Sequence, residues 1–555
     1  MTITSDDIAL INQTNHVVQY KLELLDEYLN VISEITGDTA DVSFNIDATT
    51  DIRRTATLTM VVTDESWMTE NFEIGWINKL IRFSIGLRYD RDDASAIVDE
   101  SRADFVVIDE PGSIWKWYPI GTMLLTSDAF RFDTATQELQ ISLVDLIAYG
   151  TAERGSQIGT GVKYRYETPI KELLEATIAR WYPYKETEIM EFPDVLPYDI
   201  EWGIGSYPYD ILRTLLNLFP WYEQYYDTEG VYHARTLPMH VDEPCAMTHA
   251  DLDDLIIAEH RSFDFSNIKN TTEIYGKSIS SNYVASNCTL SGDTYTLSFL
   301  LEMETLENNK KYCFTPHVDS PASPKIHIDL TDPEAQETAD LVGSNGNALE
   351  AGALMAEYAY VVRCLDVPVE VPIENPEPDG PTTQTVLRKK FFLMGQQQIH
   401  VIVREMNEQP TQLVIEQDKH DNDCADIKYV INPDSPYACD RYNSSAVAPA
   451  RMSIQKGQIR QVLYDGDYAS IYTTQLAYQR GEYENYLKCR MNTDTELTTV
   501  LIPFLDVNQK IEYTSPITGE QHQYIIKSIN MDIKAFTMTM KLARFYNWLP
   551  TGQQT

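Results

Sequence analysis

The amino-acid pattern is that of a mainly β (α+β) chain of several domains, and three features predict it. Period-2 alternation recurs along the whole length: Arg54–Val62 places Ala56, Leu58, Met60 and Val62 on one face and threonines mainly on the other, as a half-buried strand requires. Stripes of helical period are few. A strand-rich segment also echoes itself, since Ser43-Phe-Asn-Ile46 followed by Ile52-Arg-Arg-Thr55 returns as Ser262-Phe-Asp-Phe265 followed by Ile268-Lys-Asn-Thr271. The offsets are 219 and 216 residues, which fits a duplicated unit with a three-residue loop difference.

Further strands are expected at Phe83–Tyr89, Asp104–Ile108, Gln137–Val144, Val401–Val403 and Phe536–Leu542. A hairpin joins Lys510–Tyr513 to Tyr524–Lys527 through a loop holding Pro516 and Gly519. Thr168 is placed to cap a helix with Pro169 at its first position, the stripe being Ile170, Leu173, Leu174, Ile178 and Trp181. Ser206 precedes a second stripe of Ile211, Leu212, Leu215, Leu218 and Phe219. Both helices are expected to pack on strands Tyr222–Tyr226 and Val231–Arg235, joined by the turn Asp227-Thr-Glu-Gly230. A third helix is expected over Asp467–Tyr486, and Val367–Pro381, with five prolines among acids, reads as an extended exposed loop.

With 555 residues, three or four domains are expected. The 43 Lys+Arg against 84 Asp+Glu leave a net charge of −41, which argues against an ordinary nucleic-acid binder because phosphate contacts need a basic face. No run approaches the roughly 18–20 apolar residues of a membrane-spanning helix. Met1–Asp7 carries acid where a signal peptide is basic, so cytosolic synthesis is expected. The seven cysteines lack CxxC spacing and read as buried or idle thiols, with Cys288–Cys313 and Cys424–Cys439 the conceivable bridges.

Catalytic constellations are absent: there is no HExxH, no GxSxG and no GxxxxGK[ST], and Gly203-Ile-Gly205 lacks the third glycine of a dinucleotide loop. The ten histidines are dispersed. Asp418, Asp421, Asp423 and Asp426 have the density of a calcium loop without the glycine of its sharp turn. Trp115, Trp117, Tyr118, Trp181–Tyr184 and Trp221–Tyr226 are aromatic platforms by composition and core by position. No catalytic, cofactor-binding or metal-ligating residue is assigned, no cofactor is expected, and the chain is expected not to be an enzyme.

Whole segments resemble a known family. Arg54-Thr-Ala-Thr-Leu-Thr-Met60 with Trp76-Ile-Asn-Lys79, then Thr168-Pro-Ile-Lys-Glu-Leu-Leu174, Tyr209–Leu212 and Asp227–Arg235, then Asn270-Thr-Thr-Glu-Ile-Tyr-Gly276, and finally Pro503 to Arg544, are similar to the successive parts of bacteriophage baseplate hub and tail-tip (tail-associated) proteins. The resemblance covers residues 1–284 and about 455–549. It implies a first tube-like β-barrel at 1–150, a small α/β module at 151–245, a second, discontinuous barrel at 246–284 and 455–549, and an inserted β-sandwich-like domain at 285–454 with the proline-rich loop 367–381. It further implies a virion protein made in the host cytoplasm: a homotrimeric hub at the tail tip, adapting a six-fold tube to a three-fold tip, gating DNA passage and serving host attachment. The implied partners are tail tube or distal tail protein, tape-measure protein and tip or fibre proteins, with DNA only in transit and no stable membrane insertion. The rival reading is a carbohydrate-binding or glycan-degrading protein acting through 285–454.

Overall fold

The computed structural model describes residues 3–546 apart from 14–16, 62–78, 91–104, 108–112, 127–130, 332–337, 373–382, 413–414, 417–424, 433–434, 440–457 and positions 134, 156, 166, 193, 197, 265, 302, 436, 472 and 491. The chain is mainly β, and it divides into two compact units: Met1–Ile268 with Met491–Thr555, and Lys269–Arg490.

The first unit is built on one 14-stranded sheet. Strands expected in two barrels form a single run, from Ile256–Asp264 through Asn492–Val500, Thr537–Arg544 and Gln521–Asp532 to Thr39–Asp47, Arg54–Val61, Glu138–Asp145, Ser113–Leu125, Leu80–Asp90, Val18–Leu25 and Val31–Glu34. The two halves are stitched by Ser528↔Asp47 through Asp532↔Ser43. The alternation read from the sequence is the observed burial: Ala56, Leu58 and Met60 are buried, as are Met538, Met540 and Leu542 on the far strand. These residues share one core with Phe44, Phe83, Leu252, Leu497 and Ile526. Each fully buried aliphatic or aromatic side chain contributes roughly 1.5–3 kcal/mol, so this core outweighs any single polar contact in holding the sheet together.

The α/β module lies in the same unit. Its helices run over Ile170–Trp181 and Pro208–Asn217, each starting one residue later than expected, at caps Pro169 and Tyr207 rather than Thr168 and Ser206. Asp210 at the third position accepts from the Tyr207 backbone N–H at 2.9 Å, the return bond of a capping box, so the cap is fixed from inside the first turn and not by a Ser206 hydroxyl. Tyr222–Tyr226 and Tyr232–Thr236 are antiparallel, and Thr187–Ile189 adds a third, parallel strand. Gly230, with φ 84°, closes the turn between them in a conformation that favours glycine.

The second unit differs from expectation at its boundaries. Thr271–Ser278, expected to open a second barrel, sits in a four-stranded sheet between Gln398–Met406 and Arg460–Leu463, with Asp426–Ile431 at the edge. The helix covering this sheet is Thr474–Lys488, shorter than the expected 467–486 stretch at its start because Thr473 caps it by accepting from the Leu476 N–H; Tyr468–Ser470 is a separate 3₁₀ turn. The segments 246–284 and 455–549 are therefore each shared between the two units. Strand Ile256–Asp264 pairs with Asn492–Val500, with Asp264 opposite Asn492, so all of 269–490 is inserted within one strand pair.

The rest of the second unit, 283–396, is a closed seven-stranded barrel rather than a sandwich. Its interior holds Tyr295, Leu297, Tyr312, Phe314, Ile326, Leu341, Val362 and Phe391. Tyr360–Pro372 and Thr383–Gln396 form a long hairpin, so 367–372 of the expected loop is strand. Pro368 and Pro372 are tolerated there because, among the described residues, the two strands beyond Arg363 and Phe391 pair only with each other, leaving outward edges that need no ladder N–H. The remaining 373–381 lies outside the described residues, as do Trp76–Asn78, Arg91–Asp93, Asp418, Asp421, Asp423 and Cys424.

Candidate functional site

Most of the aromatic candidates are core. Trp115, Tyr118, Tyr182, Trp221, Tyr222 and Tyr226 are buried, and Trp117 stacks on Trp115 at 6.0 Å. Asp426, the described member of the acidic stretch, accepts a hydrogen bond from Tyr358. Cys245, Cys288, Cys313, Cys364, Cys439 and Cys489 are free thiols, so Cys288 and Cys313 are not bridged. Among the described residues no three His, Cys, Asp or Glu side chains come together as a metal site, and no helix is long and apolar enough to cross a membrane.

What the fold does assemble is a buried charge cluster, in the first unit. Arg53 and Arg54 stand at the start of the strand whose inward face continues with Ala56, Leu58 and Met60. Arg53 donates from Nη1 to Glu223 Oε2 at 3.0 Å and from Nη2 to the Val507 carbonyl at 2.8 Å. Arg54 donates from Nη2 to Asp506 Oδ2 at 2.7 Å and from Nη1 to the Tyr226 carbonyl at 3.0 Å, with Asp145 Oδ2 at 3.6 Å. Glu223 also receives Arg235 Nε at 2.6 Å and Asn508 Nδ2 at 2.8 Å. The Tyr225 ring lies beneath three guanidinia, at 4.3 Å from Arg53, 5.3 Å from Arg235 and 5.8 Å from Arg54.

Three arginines thus face three carboxylates, and Arg53, Arg54, Asp145 and Glu223 are all under a tenth exposed. Burial works to raise the Asp506 carboxyl, yet the Arg53 and Arg54 guanidinia overcome it and hold it down to about 2. At Asp145 burial prevails over Arg54 and the carboxyl is raised. Removing one partner of such a buried set leaves an uncompensated charge, at a cost of about 3–5 kcal/mol. The geometry does one thing well: it locks the N-terminal strands, the α/β module and the C-terminal loop 506–508 into one register.

A second polar cluster orders the four-stranded sheet of the other unit. Glu273 accepts from Tyr275 at 2.8 Å and from Arg460 at 3.0 Å, and its Oε1 lies 2.7 Å from His400 Nε2. The His400 ring stacks on Tyr275 at 4.1 Å.

The sequence assigns no candidate site residue, and it hides the charge cluster because the members are scattered over the chain among 84 acids. One signal is present: adjacent arginines, Arg53 and Arg54, at the head of an amphipathic strand in a chain poor in base.

A family model described as a domain of unknown function, DUF5048, matches residues 450–549. No curated protein matches the chain. Among solved structures the neighbours include phage tail proteins, a P2 virion baseplate and Francisella PdpA-VgrG complexes. The chain is similar to the tail protein from Neisseria meningitidis MC58, at 8% identity over 95% of this chain and 96% of that one, with a TM-score of 0.41. It is similar to the 43 kDa tail protein of prophage MuSo2 from Shewanella oneidensis, at 9% identity, covering 95% and 98%, TM-score 0.37. It is also similar to prophage tail protein gp18 from Listeria monocytogenes EGD-e, at 7% identity, covering 94% and 94%, TM-score 0.36.

Proposed function

We propose that the chain is a structural protein of a phage tail, a homotrimeric hub at the distal end that adapts a six-fold tube to a three-fold tip and opens for DNA. The observation that carries this reading is the 14-stranded sheet of the first unit, whose two ends are bare among the described residues. Val31–Glu34 ends the sheet on one side and Ile256–Asp264 on the other, and Val31, Ile32 and Ile257 are each about half exposed. Unpaired edges that carry apolar side chains invite pairing with another chain. Edge-to-edge contact between different surfaces of identical subunits closes into a ring when the rotation closes. In this reading each chain contributes two halves of the sheet, joined where Gln521–Asp532 pairs with Thr39–Asp47, and three chains then match six-fold symmetry.

In this reading the protein works mechanically and catalyses nothing, and its partners are the tail tube or distal tail protein, the tape-measure protein and tip or fibre proteins. Its place is the virion tail tip, where host attachment occurs. The test is mass photometry of the wild type beside Val31→Lys and Ile257→Lys. The expected result is a trimer that falls to monomer in both variants. A monomeric wild type, or a trimer indifferent to both lysines, contradicts the edge-pairing assembly. Turnover of peptidoglycan or capsule by the purified chain contradicts the non-catalytic role.

A further inference from the structure

A cavity of about 580 Å³ runs along the first half of the strand Val18–Leu25, lined by Val18–Lys21 in unbroken succession with Glu34, Thr36, Trp117 and Phe536. That volume is in the range of ligand sites. Successive side chains of a strand point to opposite faces of the sheet. Four in a row border one cavity only where it follows the backbone edge between the two faces.

That edge is open. The strand pairs along its whole length with Leu80–Asp90 on one side, but with Val31–Glu34 only from Glu23 to Leu25 on the other. Two contacts finish the second pairing: the Ile35 N–H donates to the Leu22 carbonyl at 2.9 Å, and the Leu22 N–H donates to Thr36 Oγ1 at 3.0 Å. The chain then turns away into the 3₁₀ helix Thr36–Asp38. Val17 bonds toward Leu80–Asp90, accepting from the Arg88 N–H at 3.1 Å, so Val18 and Tyr20, in step with Leu22, direct their backbone groups to the open side. Among the described residues no strand pairs with them there. An unpaired row of N–H and C=O groups is a template for another strand.

The lining adds two aromatic surfaces and an unanswered carboxylate. The Trp117 ring packs on Gly86, where a Cβ would stand 2.9 Å from the ring carbons. Phe536, in the turn between Gln521–Asp532 and Thr537–Arg544, is 41% exposed and holds φ at 51°. A bulky residue in the left-handed region is strained, and such strain collects at functional positions. Glu23 and Glu34 stand opposite each other in register, and Lys21 is held by Glu23 at 2.8 Å, which leaves Glu34 without an ion pair among the described residues. A cation brought by a partner relieves that like-charge pair, and a chain with 84 acids to 43 bases favours the same partner at longer range.

We propose that this cavity is a strand-addition site for an extended peptide segment of a partner protein. The segment's backbone bonds to Val18 and Tyr20, a bulky apolar side chain sits against Trp117 and Phe536, and a neighbouring Lys or Arg answers Glu34. In such additions main-chain bonds supply the affinity and the side-chain pocket supplies the selectivity. The inference does not rest on the tail-hub reading, since the added strand lies in line with Val31–Glu34 rather than against its outer edge.

The test pans a random peptide library against the immobilised full chain and then titrates the enriched peptide by fluorescence anisotropy. Enriched sequences should combine a bulky apolar residue with Lys or Arg in an extended, alternating pattern. Phe536→Gly should weaken binding about tenfold, as loss of a packed aromatic anchor does. The same variant should keep or raise the melting temperature, because glycine adopts that φ without strain. Glu34→Gln should weaken binding severalfold and lessen its salt dependence. Methylating alternate backbone amides of the peptide should abolish binding in one register and spare it in the other, which a peptide held only by its side chains does not show. Ile257→Lys, at the far end of the sheet, should leave the affinity unchanged, which separates this site from the subunit assembly. Failure to enrich any sequence overturns the proposal, as does an enriched peptide indifferent to both Phe536→Gly and Glu34→Gln, or one indifferent to amide methylation.

Discussion

Asp506 shows how a single residue reports the state of the first unit. Its carboxyl is held down to about 2 in the folded chain by Arg53 and Arg54, against an ordinary value near 4. A carboxyl depressed on folding contributes stability that is full above its unfolded pKa and lost as pH falls through its folded one. Here that window runs from about 4 to about 2, and two pH units of depression correspond to about 2–3 kcal/mol. Asp145, raised by burial, works in the opposite sense, its contribution being lost as pH rises. Urea midpoints measured from pH 5 to pH 2 for wild type and Asp506→Asn should converge as the pH drops, because the wild type loses what the variant never had. Parallel curves across that window would contradict the role given to the cluster. None of this was legible in the sequence, since Asp506 is one acid among 84 and its partners lie about 450 positions away.

Among the elements, the period-2 strands were the legible ones, because alternation reports which face is buried. It does not report the partner strand. Thr271–Ser278 has the same pattern whether it closes a barrel or lies inside a four-stranded sheet, and the structure places it in the latter. The echo at Ile268–Thr271 ends for the same reason. Arg54–Val61 folds back on Thr39–Asp47, whereas the partner of Ile256–Asp264 comes from Asn492–Val500, beyond the inserted unit. Proline density misled in the other direction, since a hairpin with two outward edges accepts Pro368 and Pro372 where an inner strand cannot. Among the described residues the outer strands of that hairpin pair only with each other. Replacing 367–388 by a two-residue Asn-Gly turn, while keeping the Asp366–Lys389 ion pair at 2.7 Å, should leave the barrel melting within a few degrees of wild type. Collapse of the barrel would show that the arm is part of its core.

At the scale of the whole molecule, insertion is the organising fact. The chain leaves the large sheet after Asp264 and rejoins it at Asn492, directly opposite in register. Joining Ile268 to Met491 through a short Gly/Ser linker should therefore give a soluble protein that retains the fold of the first unit, as checked by amide hydrogen exchange across 39–61 and 521–544. Loss of protection in those strands would mean that the inserted unit is needed to form the sheet. The mainly β character was readable from the strand pattern, but the boundary of the insertion was not, because composition does not change at 268 or 490. The central claim concerns assembly, and negative-stain imaging of the purified full chain tests it most directly. Class averages should show a three-fold ring built from six sheet halves around an opening; single elongated particles without rotational symmetry at micromolar concentration would contradict it.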